Sequence, residues 1–513
     1  MTLEDKNMDS NREPLFENKK SVQIKLYKRR FLILAIFTLY SMINAFQWIE
    51  YSIITNIISK FYGKSARQVD WLSMIYMAVY IPFIIPASWL LNARGLKETA
   101  ILGGFLNALG AWIKCASIRS DLFWVTMLGQ ILCAIAQLFI LNIPSKLAST
   151  WFGPKELATA CSIGVFGNQV GVALGFLLPP ILVPNTTIPE IAEGLKKVFY
   201  SVAIVSTIIL ALIIFVYQKN PKHPPSPSEM VLGTHDDYKD ISFKSSLYSM
   251  FKSRNFILLF FTYGIITGNY YAISTLLNQI VLHYFPNQEL NVGRIGLTMI
   301  ITGLIGAVVA GVWLDRTKAF KSTTLLIYAC TLVFTVIFTF TLKLKHLWIV
   351  FLNIGFLGFF MNGYLPVGFE FAAEITYPHS AGISSGLLNA SAQIFGIIFT
   401  LGMGELSDSI SVYAANILLC VSLLFGALLT IGIRSELKRE HINISHNQAQ
   451  NGNVDFIDMK SNVNNNINDH KNSPKSNEVN LNMMPKQNGS TDPELDKGAE
   501  PSSPFLNGES KDK

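Results

Sequence analysis

The feature that most constrains this chain is a succession of twelve predominantly apolar blocks, each near the ~20 residues that carry a helix across a hydrocarbon layer. They lie at 31–58, 71–91, 98–117, 122–143, 157–182, 197–217, 256–281, 295–314, 323–342, 347–369, 382–403 and 412–433, with short polar links between them. Half of the 513 residues are hydrophobic and 15% are charged, with 35 Phe and 18 Tyr, which is more apolar length than one soluble core can bury. Lipid is therefore the solvent. Inside lipid each segment must satisfy its own backbone amides, and that selects helices. The expectation is an all-α membrane protein of twelve transmembrane helices in two six-helix halves. The formal charge of +7 does not point to nucleic acid, because Lys and Arg sit beside the apolar blocks, as the positive-inside bias requires. Cys115, Cys133, Cys161, Cys330 and Cys420 fall in or at the ends of these blocks without a CxxC or Cys/His pairing. That pattern argues against a disulfide framework, a metal site or a bound cofactor.

Residues 1–30 form a polar arm ending in Lys25, Lys28, Arg29 and Arg30, which reads as a cytoplasmic arm holding an uncleaved first span. The halves 31–217 and 256–433 flank a cytoplasmic linker, 218–255, that contains Pro221, Pro224, Pro225 and Pro227. From 434 to 513 the composition turns to Asn, Ser, Lys and Asp without periodicity, as in a disordered cytoplasmic tail. The even links carry Arg94 with Lys97, Lys146 with Lys155, and Arg316 with Lys318 and Lys321, so both termini are expected inside. The plasma membrane is the expected residence, with an organelle membrane as the alternative. Asn185-Thr186-Thr187, after the fifth block, is then an outward-facing glycosylation sequon. The sequons at Asn443 and Asn488 fall in the tail and should stay bare.

An internal repeat organises the chain. Trp48 and Tyr271 are separated by 223 residues (271 less 48), and the same offset pairs Tyr40 with Tyr263, Ser52 with Thr275 and Asn92 with Asp315. Parallel repeats of six spans are the plan of the major facilitator fold, with cargo held near mid-membrane between the halves. Gly311-Val312-Trp313-Leu314-Asp315-Arg316 resembles the signature turn of that fold, and Asn92-Ala93-Arg94-Gly95 is a degraded copy of it. Asp315 and Arg316 are accordingly gating candidates, pairing with helix ends as the halves rock. Simple positive-inside charge is the alternative for Lys318 and Lys321. Gly164, Gly167, Gly171 and Gly175 recur at three or four residues, a spacing that allows close helix approach.

Candidate binding residues are neutral rather than charged. Glu50, Glu370, Glu374 and Asp315 fall toward block ends, and none of the eight His sits deep in a block, which weakens both a proton relay and axial iron ligation. Asn44, Trp48 and Tyr51 or Ser52 share one face of the first block; Asn389 and Gln393 share one in the eleventh; Gln137 and Gln169 lie in the fourth and fifth. Trp and Tyr faces attract a quaternary ammonium by about 0.5–2 kcal/mol each, and amides can bond a hydroxyl. A small organic cation with a polar end suits such a lining. For Trp48 an interfacial belt position is the competing reading, and for each amide, contact between helices.

Long blocks of the sequence resemble one family. Asn44-Ala45-Phe46-Gln47-Trp48-Ile49, Gly110-Ala111-Trp112-Ile113-Lys114-Cys115, Trp151-Phe152-Gly153-Pro154-Lys155-Glu156 and the run from Ser385 to Gly396 are similar to the feline leukaemia virus subgroup C receptor-related transporters, over nearly all of residues 25–440. The resemblance implies a major facilitator carrier for choline and ethanolamine, with haem export as the alternative. It places an aromatic cage on Trp48 and Tyr271 and polar contacts on Gln137 and Gln393. One departure is Glu50, a position that the family fills with Gln. Glu50 is two residues from Trp48, about 200° around a helix, so it is expected outside the cage, lending negative potential to the outer mouth or pairing with a nearby Lys. Lipid and a small organic cation are the expected partners, by facilitated transport without a coupling ion. A non-transporting receptor ranks below this because the loops are short. An enzyme ranks last, since no nucleophile–base constellation or phosphate loop exists.

Overall fold

In the computed structural model, described residues are 26–434 apart from 154–155, 219, 222, 224–242 and 377–380, and all of them belong to one compact unit. Most of the arm and of the linker, the tail and the sequons at Asn443 and Asn488 lie outside the described residues.

The twelve expected spans are present as long apolar helices. The first runs Arg29–Ile49, a 3₁₀ turn Ser52–Ile54, then Thr55–Tyr62. The second to sixth are Ala66–Arg94, Leu96–Ala116, Phe123–Trp151, Leu157–Leu182 and Ile188–Val216. The seventh to twelfth are Arg254–Tyr284, Glu289–Thr317, Phe320–Thr341, Leu347–Thr376, Ala381–Ser409 and Val412–Ile431. Most outrun the apolar blocks because a helix continues past the hydrocarbon until a cap or a break ends it, as Ser65 does by accepting from the Gln68 amide in a capping box.

Two local features depart from the sequence reading. The first span is broken at Glu50–Tyr51, where a continuous apolar block suggested one helix. A ten-residue helix, Phe243–Lys252, also stands inside the stretch read as a linker. Phe243, Leu247, Met250 and Phe251 recur at helical spacing there. Met250 is buried, and the Phe251 ring meets Phe256 and Phe260 of the seventh span, so this helix packs beneath the second half.

The packing repeats between the halves. The first span lies so close to the fifth that a Cβ on Gly171 would overlap the Met42 carbonyl, and the seventh lies against the eleventh where Gly268 faces the Phe395 backbone. Between halves, the fifth span meets the eighth through Phe176 against Gly293 and Gly296, and the second meets the eleventh through Met77 against Gly396. These two contacts exchange under the repeat, so the interface has a pseudo-two-fold axis. An even number of spans also leaves both ends of the bundle on one face, here called the terminal face.

Polar contacts join the halves at the opposite, distal face. Asn278 Nδ2 of the seventh span donates to the Ile53 carbonyl at 2.7 Å and to Asn56 Oδ1 at 3.2 Å. Gln279 Nε2 donates to Asp70 Oδ1 at 2.8 Å. Arg67 pairs with Glu405 at 2.6 Å and with Asp408 at 2.9 Å. The distal side of the interface is therefore closed.

Candidate functional site

Trp48 and Tyr271 meet where the halves face each other. Their ring centroids are 5.6 Å apart and the planes stand at 78°, an edge-to-face corner with one wall from each half. Trp48 is 8% exposed, so it is not a lipid-facing belt residue, and its indole Nε1 has no hydrogen-bond partner. Gln393 of the eleventh span lies beside the Tyr271 hydroxyl. One turn earlier, half-buried Asn389 neighbours the Tyr80 hydroxyl of the second span without reaching hydrogen-bond geometry. Met77 and the Tyr271 ring both crowd Gly396, and this small residue lets the second, seventh and eleventh spans converge on the corner. The result is an aromatic angle with unspent hydrogen-bonding groups around it, a setting for a desolvated cation carrying a hydroxyl.

The other sequence candidates do not all converge there. Gln137 is half-buried on the fourth span, one turn beyond Cys133. Asn44 is fully buried within the first half, where its Nδ2 donates to Asn107 Oδ1 at 2.8 Å and to the Cys133 carbonyl at 2.9 Å. Gln169 Oε1 accepts from Asn362 Nδ2 at 3.4 Å, joining the fifth span to the tenth. Arg316 is exposed at the end of the eighth span, which closes at Lys318 in the left-handed conformation (φ 51°). Asp315 lies in the last turn of that helix, and its side chain is not among the described ones. Asn185 is exposed on the distal face and donates to Glu289 Oε1 at 2.7 Å.

Glu50 is not at an outer mouth. Its Oε1 accepts from Lys114 Nζ at 2.7 Å, with the two side chains 2% and 1% exposed. Sequence reasoning treated Lys114 only as part of a resemblance block, and missed Met77, Tyr80 and Asp70 altogether. Pairing of Glu50 with a nearby Lys was one of the sequence readings, and Lys114 could have been found as that partner by the rule that ionisable residues inside lipid-length segments come in pairs. Met77 and Tyr80 carry no signal that separates them from core residues of an apolar block.

Comparison with known proteins fits this architecture. Residues 32–400 match the model of the Major Facilitator Superfamily. The chain is 50% identical over 479 residues to the choline/ethanolamine transporter FLVCR1 of Felis catus, covering 93% of this chain and 84% of that one. It is 51% identical over 421 residues to the choline/ethanolamine transporter FLVCR2 of Homo sapiens, covering 82% and 80%. Among solved structures, a bacterial homolog of the human lysosomal transporter Spinster superposes with a TM-score of 0.66 at 14% identity, over 81% of this chain and 99% of that one. A D-xylose-proton symporter superposes at 0.62 with 12% identity, over 79% and 98%. At that identity the superpositions speak for the fold alone, whereas the sequence matches extend over most of each relative. The chain is thus a multi-pass membrane transporter that belongs to the feline leukaemia virus subgroup C receptor-related family of the major facilitator superfamily.

Proposed function

We propose that the protein carries choline, and ethanolamine with it, across the plasma membrane by alternating access, with both termini in the cytoplasm. The observation that carries this reading is the Trp48–Tyr271 corner, 5.6 Å between centroids and 78° between planes, contributed by the two halves. A trimethylammonium seated in the angle touches a face of each ring, and each desolvated contact is worth about 0.5–2 kcal/mol. It has no N–H to satisfy, so it needs no carboxylate. The hydroxyl at the other end would turn to Gln393 or Asn389, with Gln137 approaching from the fourth span. Asn44, already bonded to neighbours, braces the first span, which carries one ring wall, and Gln169 ties the fifth span to the tenth. Asp315 and Arg316 gate the terminal face. The names of the relatives support the substrate class, and the basic even links with exposed Asn185 on the distal face support the orientation.

No coupling ion is required in this reading. A cation of unit charge gains about 2.3 kcal/mol per 100 mV of favourable membrane potential. Haem gains no support, since the described His223, His283 and His346 lie at or beyond span ends.

Uptake of labelled choline into cells expressing the wild type and Trp48→Ala tests the proposal. Wild-type cells should accumulate choline above background, and losing about 1–2 kcal/mol of cation–π contact should raise the KM of the variant roughly 5- to 30-fold. Equal uptake by both would sink the site; no uptake above background by the wild type would sink the function.

A further inference from the structure

The break in the first span begins two residues after Trp48, and the carbonyls it frees are satisfied from outside the helix. In an unbroken helix the Gln47 and Trp48 carbonyls would accept from the amides of residues 51 and 52. Here the Gln47 carbonyl accepts from Gln130 Nε2 at 2.9 Å, and the Trp48 carbonyl from Ser73 Oγ at 2.8 Å. Gln130 can serve this purpose only if its amide points one way. Lys114 Nζ at 3.4 Å and the Tyr76 hydroxyl at 3.3 Å both donate to Gln130 Oε1, which turns Nε2 toward the Gln47 carbonyl and the Leu72 carbonyl, 3.1 Å away. Lys114 is in turn held by Glu50, the residue at the break itself, and its ammonium stands 5.7 Å from the Tyr51 ring centroid.

An ion pair this deeply buried costs desolvation that a matched apolar pair would avoid, so its presence is better explained by specificity of geometry than by stability. We propose that Glu50 and Lys114 are positioning residues: their buried ion pair fixes the break in the first span, through Gln130, and thereby sets the Trp48 indole for the cargo. Neither side chain touches the cargo. The inference rests on the choline reading for its transport readout, and a second readout is independent of it. Cys133 is fully buried beside the break, with its Sγ 3.2 Å from Gln47 Oε1, and it should become reactive if the first span loosens there.

The test uses the full chain, purified and reconstituted, as wild type, Lys114→Met and the double variant Glu50→Gln with Lys114→Met. The single variant strands a buried carboxylate and should lower the unfolding temperature; the double variant should recover it. Despite that recovery the double variant should keep a choline KM raised several-fold, with kcat near wild type, and its Cys133 should react faster with N-ethylmaleimide. A double variant with wild-type KM and wild-type Cys133 reactivity would overturn the proposal and reduce the pair to packing. A loss of kcat without a change in KM would overturn it too, by placing Glu50 in the transport step. If the double variant fails to fold, Gln130→Leu decides: it cuts the link from the ion pair to the Gln47 carbonyl while leaving Lys114 to pair with Glu50, and an unchanged KM and Cys133 reactivity would refute positioning through Gln130. If the wild type itself moves no choline, the proposed function fails, while Cys133 labelling still judges the pair.

Discussion

Tyr271 offers two chemically distinct contacts, a ring face in the corner with Trp48 and a hydroxyl beside Gln393. The two separate by substitution. Tyr271→Phe keeps the face and should retain most choline uptake, whereas Tyr271→Ala should raise KM as Trp48→Ala does. Gln393→Ala removes the partner proposed for the cargo hydroxyl, worth about 1 kcal/mol. It should weaken choline by roughly 5-fold while leaving tetramethylammonium, which has no hydroxyl, unchanged; competition against labelled choline measures both, and equal losses would contradict the assignment. The ring walls were legible in the sequence because the 223-residue offset, 271 less 48, pairs Trp48 with Tyr271, although it pairs Tyr40 with Tyr263 as well. The amides were only half legible. Asn44 and Trp48 share a helical face on paper, yet the Asn44 amide is spent on Asn107 and Cys133 within its own half. Residue spacing fixes a direction on a helix, but the neighbouring spans decide what lies in that direction.

Helix contacts within each half depend on a few positions where no side chain fits. A Cβ on Gly171 would overlap the Met42 carbonyl, which is backbone and cannot rotate away, whereas Gly404 in the eleventh span has nothing within 4 Å. Gly171→Ala should therefore destabilise by about 1–3 kcal/mol through forced separation of the first and fifth spans. Gly404→Ala should be neutral or stabilising by up to ~1 kcal/mol, since it only restores helix propensity. Thermal unfolding of the purified variants compares them directly, and equal effects would mean that close approach is not what Gly171 supplies. Helices as such were plain from the sequence, because lipid leaves an apolar twenty-residue block no other hydrogen-bonded form. The break at Glu50–Tyr51 was not, because hydropathy averages over a turn and the carbonyls freed there are capped by Gln130 and Ser73, residues remote in sequence. The helix Phe243–Lys252 was hidden for a related reason: its apolar face is short and neighbours a Pro-rich stretch.

At the scale of the whole molecule, the closed distal face rests on unequal contacts. The Arg67 pairs are solvent-exposed and screened, so they guide closure more than they hold it. The bond from Asn278 to the Ile53 carbonyl is buried, and removing its donor strands a carbonyl at a cost of about 1–3 kcal/mol. Asn278→Ala should thus shift the closed-to-open ratio of that face roughly 5- to 150-fold toward open. With Thr275→Cys as a buried reporter on the same span, a membrane-impermeant thiol reagent applied outside intact cells should label the Asn278→Ala background faster than the Asn278 background. Labelling only from the cytoplasmic side would reverse the assigned orientation. The pseudo-two-fold arrangement, with fifth-to-eighth and second-to-eleventh contacts exchanging under the repeat, adds a property that belongs to no single residue. That axis runs along the membrane normal, so it exchanges the two halves without exchanging the two sides of the membrane, and it leaves a single seam through the middle of the bundle. Under the proposed alternating access, opening one end of that seam narrows the other, so the two sides of the membrane are never joined through it.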